Sequence, residues 1–354
     1  MGRCRPKYWG KPDAYLHLWG TIDRNIGDTL MRICIYGAGA IGAGLGVQLS
    51  LAGQDVTLIA RGPHLEAMQK NGVKLLIDGE ERVAHPRCIE DPADAGPQDY
   101  IIITLKAHSL PGIAGTIQSM LDPDTAVVTG VNGIPWWYFY KLSGPYENTK
   151  LESVDPDGEF WDEVGPERAI GFVVYPAAEI VEPGVIRHIE GDRYTMGEPD
   201  GQPSERTEKL CAALKDAGFK SRVRDNIRDD IWIKLWGNLC FNPISALTHA
   251  TLDKVAGDDG TSDVCRLMML EAQEIGEKLG AKFRVDVDRR LAGGAAVGAH
   301  KTSMLQDLET GRPMEIDALV TVVQELGTLV GVPTPTIDIV LALIQQRARV
   351  AGTY

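Results

Sequence analysis

An α/β domain followed by an all-helical domain is predicted for this chain of 354 residues by three observations. The apolar run Arg32–Tyr36 leads straight into a Gly-x-Gly-x-x-Gly turn, Gly37-Ala38-Gly39-Ala40-Ile41-Gly42, and then into helical composition. Further near-continuous apolar runs follow, with the lengths of strands covered on both faces. From about Asn226 the strand signals largely stop and helical periodicity takes over. That shift predicts an N-terminal extension (1–30), an α/β domain (31–225) and a helical domain (226–354).

The first thirty residues hold two Trp-Gly pairs and no sustained period, so they are expected to lie outside the core fold. Arg3, Arg5 and Lys7 imitate a basic targeting segment, but no apolar run follows them, and a secretory signal is not expected. The core begins at Met31. Ala43–Ala52 reads as a helix closed by Gly53, and Val56–Ala60 as a second strand at the spacing of a βαβ unit. In that setting each glycine has a use: a tight turn, close approach of backbone to a pyrophosphate, and close packing of helix on strand. Gly37, Gly39, Ala40, Ile41 and Gly42 are therefore candidate cofactor-binding residues of a Rossmann-type dinucleotide-binding domain. Where an acidic residue would accept the ribose hydroxyls of NAD, Ala60 is followed by Arg61. A guanidinium there suits the 2′-phosphate of NADP; the alternative is a solvated surface arginine.

Tyr100–Leu105 and Thr125–Thr129 read as further parallel strands. Lys106 and Asn132-Gly133 follow their ends, where ligands collect in such sheets. Trp136-Trp137-Tyr138-Phe139 either lines a pocket or covers the core, and the stretch from there to Glu167 reads as a long loop or insertion. Ala169–Tyr175, Gly184–Ile189 and Arg193–Met196 read as strands, the last two joined by a Glu190-Gly191-Asp192 turn. Helices are predicted at Asp263–Leu279, at Ile316–Val330 and at Thr336–Val350, the last with Thr334 as N-cap and Pro335 at its first position.

Ile231–Asn242 is the most informative segment. As a helix it is apolar nearly all round, and its only polar side chains, Lys234, Asn238 and Asn242, recur every fourth residue. At ~100° per residue they form one narrow stripe. Burying an ammonium with two carboxamides is costly unless each finds partners, so the stripe points to a ligand. The alternative is a core helix whose lysine reaches solvent while each asparagine bonds local backbone.

Composition narrows the class. A net charge of −13 gives no support to nucleic acid or an anionic membrane as partner. No apolar run reaches the ~18 residues of a membrane span. Six scattered cysteines without a CxxC pair suggest a reduced, cytoplasmic setting. Seven histidines without an HExxH pair give a metal site no support.

With Thr104-Leu105-Lys106-Ala107, Asn132-Gly133, Lys234/Asn238/Asn242-Pro243, Ser303-Met304-Leu305-Gln306-Asp307 and Glu315-Ile316-Asp317, the chain from Met31 onward resembles the ketopantoate (2-dehydropantoate 2-) reductase family. The glycine turn and a Lys-xxx-Asn helix are shared with the wider 6-phosphogluconate dehydrogenase-like superfamily. The second asparagine, the Ser-Met-xx-Asp segment and Glu-Ile-Asp narrow the match. The resemblance implies that Lys234 donates the proton to the carbonyl being reduced and that Glu315 is the catalytic-site carboxylate. It implies that Asn238 and Asn242 hold the substrate hydroxyl or carbonyl, that Ser303 holds its carboxylate, that Asn132 lies between nicotinamide and substrate, and that Lys106 lies near the cofactor. The implied partners are NADP and a small 2-keto acid, with a homodimer as the assembly. Asp307 stands four residues after Ser303, at the spacing that lets it orient the serine; an ordinary exposed helix face has the same spacing.

The aromatic cluster and the insertion after it depart from the family pattern and leave substrate identity open. The leading expectation is NADPH-dependent reduction of 2-dehydropantoate to (R)-pantoate, toward pantothenate and coenzyme A. The alternatives are a D-2-hydroxyacid dehydrogenase acting on a bulkier 2-keto acid, and a non-catalytic NADP-sensing protein. The chemistry agrees with a reductase: the alkoxide formed by hydride transfer needs a cation able to surrender a proton, which an ammonium can do and a guanidinium effectively cannot.

Overall fold

The alternation of apolar runs with glycine-bearing turns up to Val223 produces two sheets in the computed structural model, which describes residues 30–354. What is expected of residues 1–29 lies outside the described residues. The strands in chain order are β1 (Arg32–Tyr36), β2 (Asp55–Ile59), β3 (Val73–Ile77), β4 (Glu80–Ala84), β5 (Arg87–Ile89) and β6 (Gln98–Ile103). After them come β7 (Leu121–Thr129), β8 (Ala169–Val174), β9 (Ala177–Glu182), β10 (Val185–Glu190), β11 (Arg193–Gly197) and β12 (Lys220–Val223). The larger sheet runs β12-β11-β8-β7-β6-β1-β2-β5 and is parallel except where β11 meets β8. Its central strands are closed to water on both faces: Ile33, Cys34, Ile35, Ile101, Ile102, Ile103, Val127 and Val128 are fully buried. Continuous apolar runs were thus the right sign of a covered parallel sheet.

The strand order reverses direction between β1 and β6, which opens a crevice beyond their C-terminal ends. Gly37 and Leu105 lie at that crevice.

Helices α1 (Ala40–Leu51) and α2 (Gly62–Asn71) follow β1 and β2. The glycines of α1 let it lie between two sheets. A Cβ on Gly46 would come within 2.6 Å of Leu58 in the large sheet, and one on Gly44 meets Leu75 and Ile186 of the other at 3.7 Å. Of that second sheet, β4-β3-β10-β9, the sequence predicts β10 alone; β3, β4 and β9 are additional. The Glu190-Gly191-Asp192 turn joins the two sheets: β10 lies in one and β11 in the other.

Between β7 and β8 the chain is folded rather than open. Helices α3 (Ala114–Ile117) and α4 (Glu159–Val164) flank β7, and Leu151, Phe160 and Val164 are buried. Trp136, Trp137, Tyr138 and Phe139 are each at most 1% exposed. Trp136 donates its indole hydrogen to Thr129 Oγ1 at 3.1 Å, and Tyr138 Oη accepts one from Trp232 at 2.7 Å. Burial of the rings stabilises by roughly 1.5–3 kcal/mol each, and the polar edges of these two are satisfied. The cluster covers the core.

Helix α5 (Glu205–Asp216) carries a capping box at Ser204 and precedes β12. Beyond β12 the described residues hold no further strand: α6 (Ile227–Thr248), α7 (Leu252–Gly257), α8 (Asp259–Lys278), α9 (Val287–Ala296), α10 (Ser303–Glu309), α11 (Val322–Val330) and α12 (Pro335–Ala351) complete the chain. The helix predicted over Ile316–Val330 begins instead with a π-helical turn, Asp317–Thr321. Thr334 precedes α12 as expected, but its hydroxyl donates to Asp338 and does not cap the backbone. The amide hydrogens of Thr336 and Ile337 are taken by the Glu271 carboxylate of α8, which does the capping. The five described cysteines are free and buried. No helix among the described residues is long and apolar enough to cross a membrane.

Candidate active site

The glycine turn is held shut by its neighbours at the crevice. Gly37 has φ +102°, and a Cβ there would lie 2.9 Å from the Leu105 backbone nitrogen. Thr104 Oγ1 donates to the Gly37 carbonyl at 2.7 Å, and a side chain on Gly42 would strike both. A Cβ on Gly39 would meet nothing within 4 Å, so that position opens outward. Gly39 also leaves α1 without a side-chain cap. The amide hydrogens of Ala40, Ile41 and Gly42 therefore stand at the open end of a twelve-residue helix, the arrangement that receives phosphate oxygens. The turn fits a dinucleotide pyrophosphate. Arg61 stands just before α2 at the end of the second βα connection, exposed and without an ion pair among the described residues.

Three of the predicted site residues, Glu315, Asn132 and Lys106, meet at one carboxylate. Glu315 is only 5% exposed, and its Oε1 accepts the amide hydrogen of Ala107 at 3.0 Å. Its Oε2 accepts from Asn132 Nδ2 at 3.3 Å and lies 3.4 Å from Lys106 Nζ. Lys106 also pairs with Asp307 at 2.6 Å. Burial alone would lower the Lys106 ammonium; Glu315 and Asp307 outweigh it and hold the group above its ordinary value. Asn132 reaches Glu315 because the next residue, Gly133, presses on the π-helical turn: with φ +96°, a side chain there would collide with the Ala318 carbonyl. Such turns are rare and recur at functional sites.

Lys234 lies on α6, half-buried, and donates to the Val174 carbonyl at the end of β8 at 2.5 Å. Burial lowers its ammonium to about 8, and the nearby Glu315 charge opposes that fall. The sequence left this direction open; burial wins. Asn238 is half-buried and Asn242 is 5% exposed, with its Nδ2 lacking an acceptor among the described residues. The stripe is thus polar side chains on a helix otherwise packed in the core. A small cavity of about 20 Å³ lined by Thr129, Val131, Gly133, Trp137 and Ile231 abuts Lys234. Of the four clustered aromatics, Trp137 alone borders it.

Ser303 opens α10 and is half-buried, but Asp307 does not orient it. Asp307 is committed to Lys106 and to Arg312 Nε at 3.0 Å. Charge outbid the hydroxyl, because two cations lie within reach of a buried carboxylate. Sequence reasoning also missed the Val174 carbonyl. A main-chain group leaves no mark in residue identity. Among the described residues no cluster of three or more His, Cys, Asp or Glu is placed to hold a metal.

Known proteins show the same two-part organisation. The family model described as ketopantoate reductase PanE/ApbA matches residues 33–201, and the one described as ketopantoate reductase PanE/ApbA C terminal matches residues 226–348. The chain belongs to the ketopantoate reductase family. Within that family it is 55% identical to a 2-dehydropantoate 2-reductase of Mesorhizobium japonicum, over 92% of this chain and 100% of the relative. A solved structure from Ralstonia solanacearum MolK2 matches with TM-score 0.88 and 41% identity, covering 92% of this chain and 100% of that one. A 2-dehydropantoate 2-reductase of Geobacter metallireducens GS-15 matches with TM-score 0.77 and 28% identity, covering 89% and 99%. As in the expectation from sequence, an α/β sheet region is followed by a helical one.

Proposed function

We propose that this chain reduces 2-dehydropantoate to (R)-pantoate with NADPH, residues 31–225 holding the dinucleotide and 226–354 the substrate. The family is one of dinucleotide-dependent reductases, and Arg61, exposed just before α2, supports NADPH as the dinucleotide. One observation carries the reduction: the Lys234 ammonium, held by the Val174 carbonyl, sits in a polar stripe of an otherwise apolar helix near the Glu315 carboxylate, and burial lowers it toward neutrality. A group titrating near neutrality can both hold and release a proton at working pH.

The nicotinamide, when bound, supplies the hydride to C2 of the keto acid. Lys234 then delivers a proton to the oxygen that gains charge, with the Val174 carbonyl holding its Nζ in place. Asn238 and Asn242 orient the substrate hydroxyl or carbonyl. Asn242 Nδ2 has no acceptor among the described residues, and a buried donor left so costs roughly 1–3 kcal/mol until a ligand oxygen accepts from it. Ser303 holds the carboxylate, and Asn132, fixed by Glu315, stands between nicotinamide and substrate. The Glu315 charge favours the protonated form of Lys234 against the burial that lowers it. Gly37, Gly39, Ala40, Ile41 and Gly42 receive the pyrophosphate. Lys106, drawn to Asp307 and Glu315, would lie near the cofactor.

A bulkier aromatic substrate is not favoured, since Trp136, Tyr138 and Phe139 are spent in the core. Purified full-length chain should consume NADPH when given ketopantoate. Analogues lacking the 4-hydroxyl should turn over far more slowly, by up to ~10⁴ where buried polar groups lose their partner. Turnover of branched or aromatic 2-keto acids with none of ketopantoate would sink the substrate assignment. NADPH bound without turnover of any 2-keto acid would favour a sensing role.

Cofactor choice has its own test. Arg61→Ala should weaken NADPH binding by roughly 10- to 100-fold, the worth of a charge-assisted bond, and leave NADH nearly untouched. Equal losses for both would show that the 2′-phosphate is not its partner.

A further inference from the structure

His64 has no place in the chemistry above, yet its ring joins the glycine turn to the second sheet. It lies in the first turn of α2, three residues after Arg61, and is half-buried. The amide hydrogen of Gly184, in the turn between β9 and β10, is donated to His64 Nδ1 at 3.1 Å. An amide can only donate, so Nδ1 is unprotonated. His64 Nε2 lies 3.0 Å from the Ala38 carbonyl, which can only accept, so Nε2 carries the hydrogen. The two partners fix the tautomer without further assumption. Burial, which pushes this imidazole below its ordinary value, agrees with a neutral ring.

Each neighbouring group of the turn is already anchored. Ala38 N–H donates to the Ile59 carbonyl at 2.8 Å, Gly39 N–H to the Gly37 carbonyl at 2.8 Å, and the Gly37 carbonyl also takes Thr104 Oγ1. The remaining direction is that of the Ala38 carbonyl, on a residue 3% exposed, and His64 supplies its partner. The peptide between Ala38 and Gly39 leads directly into α1. Its tilt therefore sets where the amide hydrogens of Ala40, Ile41 and Gly42 point. The far end of the tie is firm: Gly184 has φ +78°, and a Cβ there would press within 3.2 Å of Ala67 on α2.

We propose that His64 is a positioning residue of the dinucleotide site, its imidazole clamping the Ala38 carbonyl to the β9–β10 turn and so aiming the first amide hydrogens of α1 at the pyrophosphate. The inference rests on the dinucleotide reading given above and adds a residue to it.

The two ring nitrogens can be tested apart. The amide oxygen of asparagine reaches the position of Nδ1, and the amide nitrogen of glutamine that of Nε2. His64→Ala in the full chain should weaken NADPH and NADH alike by about tenfold, the effect of one buried hydrogen bond. The loss should fall on KM for the dinucleotide rather than on kcat. His64→Gln should recover most of the affinity and His64→Asn little of it. The equal loss for both cofactors contrasts with the selective loss expected for Arg61→Ala. Binding by His64→Ala within about twofold of the parent would overturn the proposal, as would rescue by asparagine but not by glutamine. If the alanine variant does not fold, the glutamine–asparagine comparison alone decides. A parent chain that binds neither dinucleotide would overturn the reading of the site itself; a parent that binds both while His64→Ala matches it overturns only the clamp.

Discussion

Lys234→Ala should lower kcat by about 10²–10⁴, the usual worth of a positioned general acid, while the dinucleotide still binds. Single-turnover rates at saturating NADPH would read this directly. In the parent, the rate should fall as pH rises through about 8, where the ammonium that donates the proton is lost. That alkaline limb should be missing from the residual activity of the alanine variant. Lys234→Arg should recover little, because a guanidinium keeps the charge and surrenders its proton reluctantly. Its planar fork must also fit where a single Nζ now meets the Val174 carbonyl. The fold should survive truncation, since the change removes a charge whose burial is unfavourable and whose hydrogen-bond partner among the described residues is a carbonyl. Near-normal kcat in a folded alanine variant would remove Lys234 from the chemistry and with it the role assigned to the stripe.

The second large effect is expected at Glu315. Glu315→Ala deprives Ala107 N–H and the Asn132 amide of their acceptor and leaves Lys106 with Asp307 alone. Loss of the oriented Asn132 and of the charge beside Lys234 should together cost on the order of 10²–10³ in kcat. The pH profile separates this from general damage. The Glu315 charge opposes the burial that lowers Lys234, so removing it should shift the alkaline limb to pH values below that of the parent. Glu315→Gln keeps an acceptor for Ala107 but not the charge. It should restore folding and part of the rate, and retain the shifted limb. An alkaline limb unmoved in both variants would mean that Glu315 does not act on Lys234.

How much of this was legible in residue order depends on what each feature rests on. The glycine turn could be read because steric need selects glycine at Gly37 and Gly42, and the stripe because apolar side chains surround it on α6. Lys106 and Asn132 were found by their position after strands of a parallel sheet, which the topology bears out. Harder to see was the second sheet: β9 is largely exposed and β4 mostly so, hence neither shows a buried face in its pattern. The choice of Asp307 for Lys106 over Ser303 is a matter of distance between segments, and helical spacing within one segment cannot reveal it. The aromatic cluster looked equally like a pocket or a core, and only packing against Trp232 and Thr129 decides. The roles of His64 and the Val174 carbonyl depend on main-chain partners, to which side-chain identity is blind.

Lys106 and Glu315 meet across 209 positions of chain. A ribosome delivers them in order, so the glycine turn and the central strands emerge long before the carboxylate that gathers Lys106, Ala107 and Asn132. Contacts of such separation form late, after the entropy of closing a long loop has been met. A nascent or truncated chain ending before α10 therefore offers phosphate-binding backbone without Asp307 or Glu315, the carboxylates that organise the reducing centre. Competence for catalysis arrives only once Glu315 has been made, and a deletion that removes Glu315 abolishes the carboxylate network even where the sheet survives.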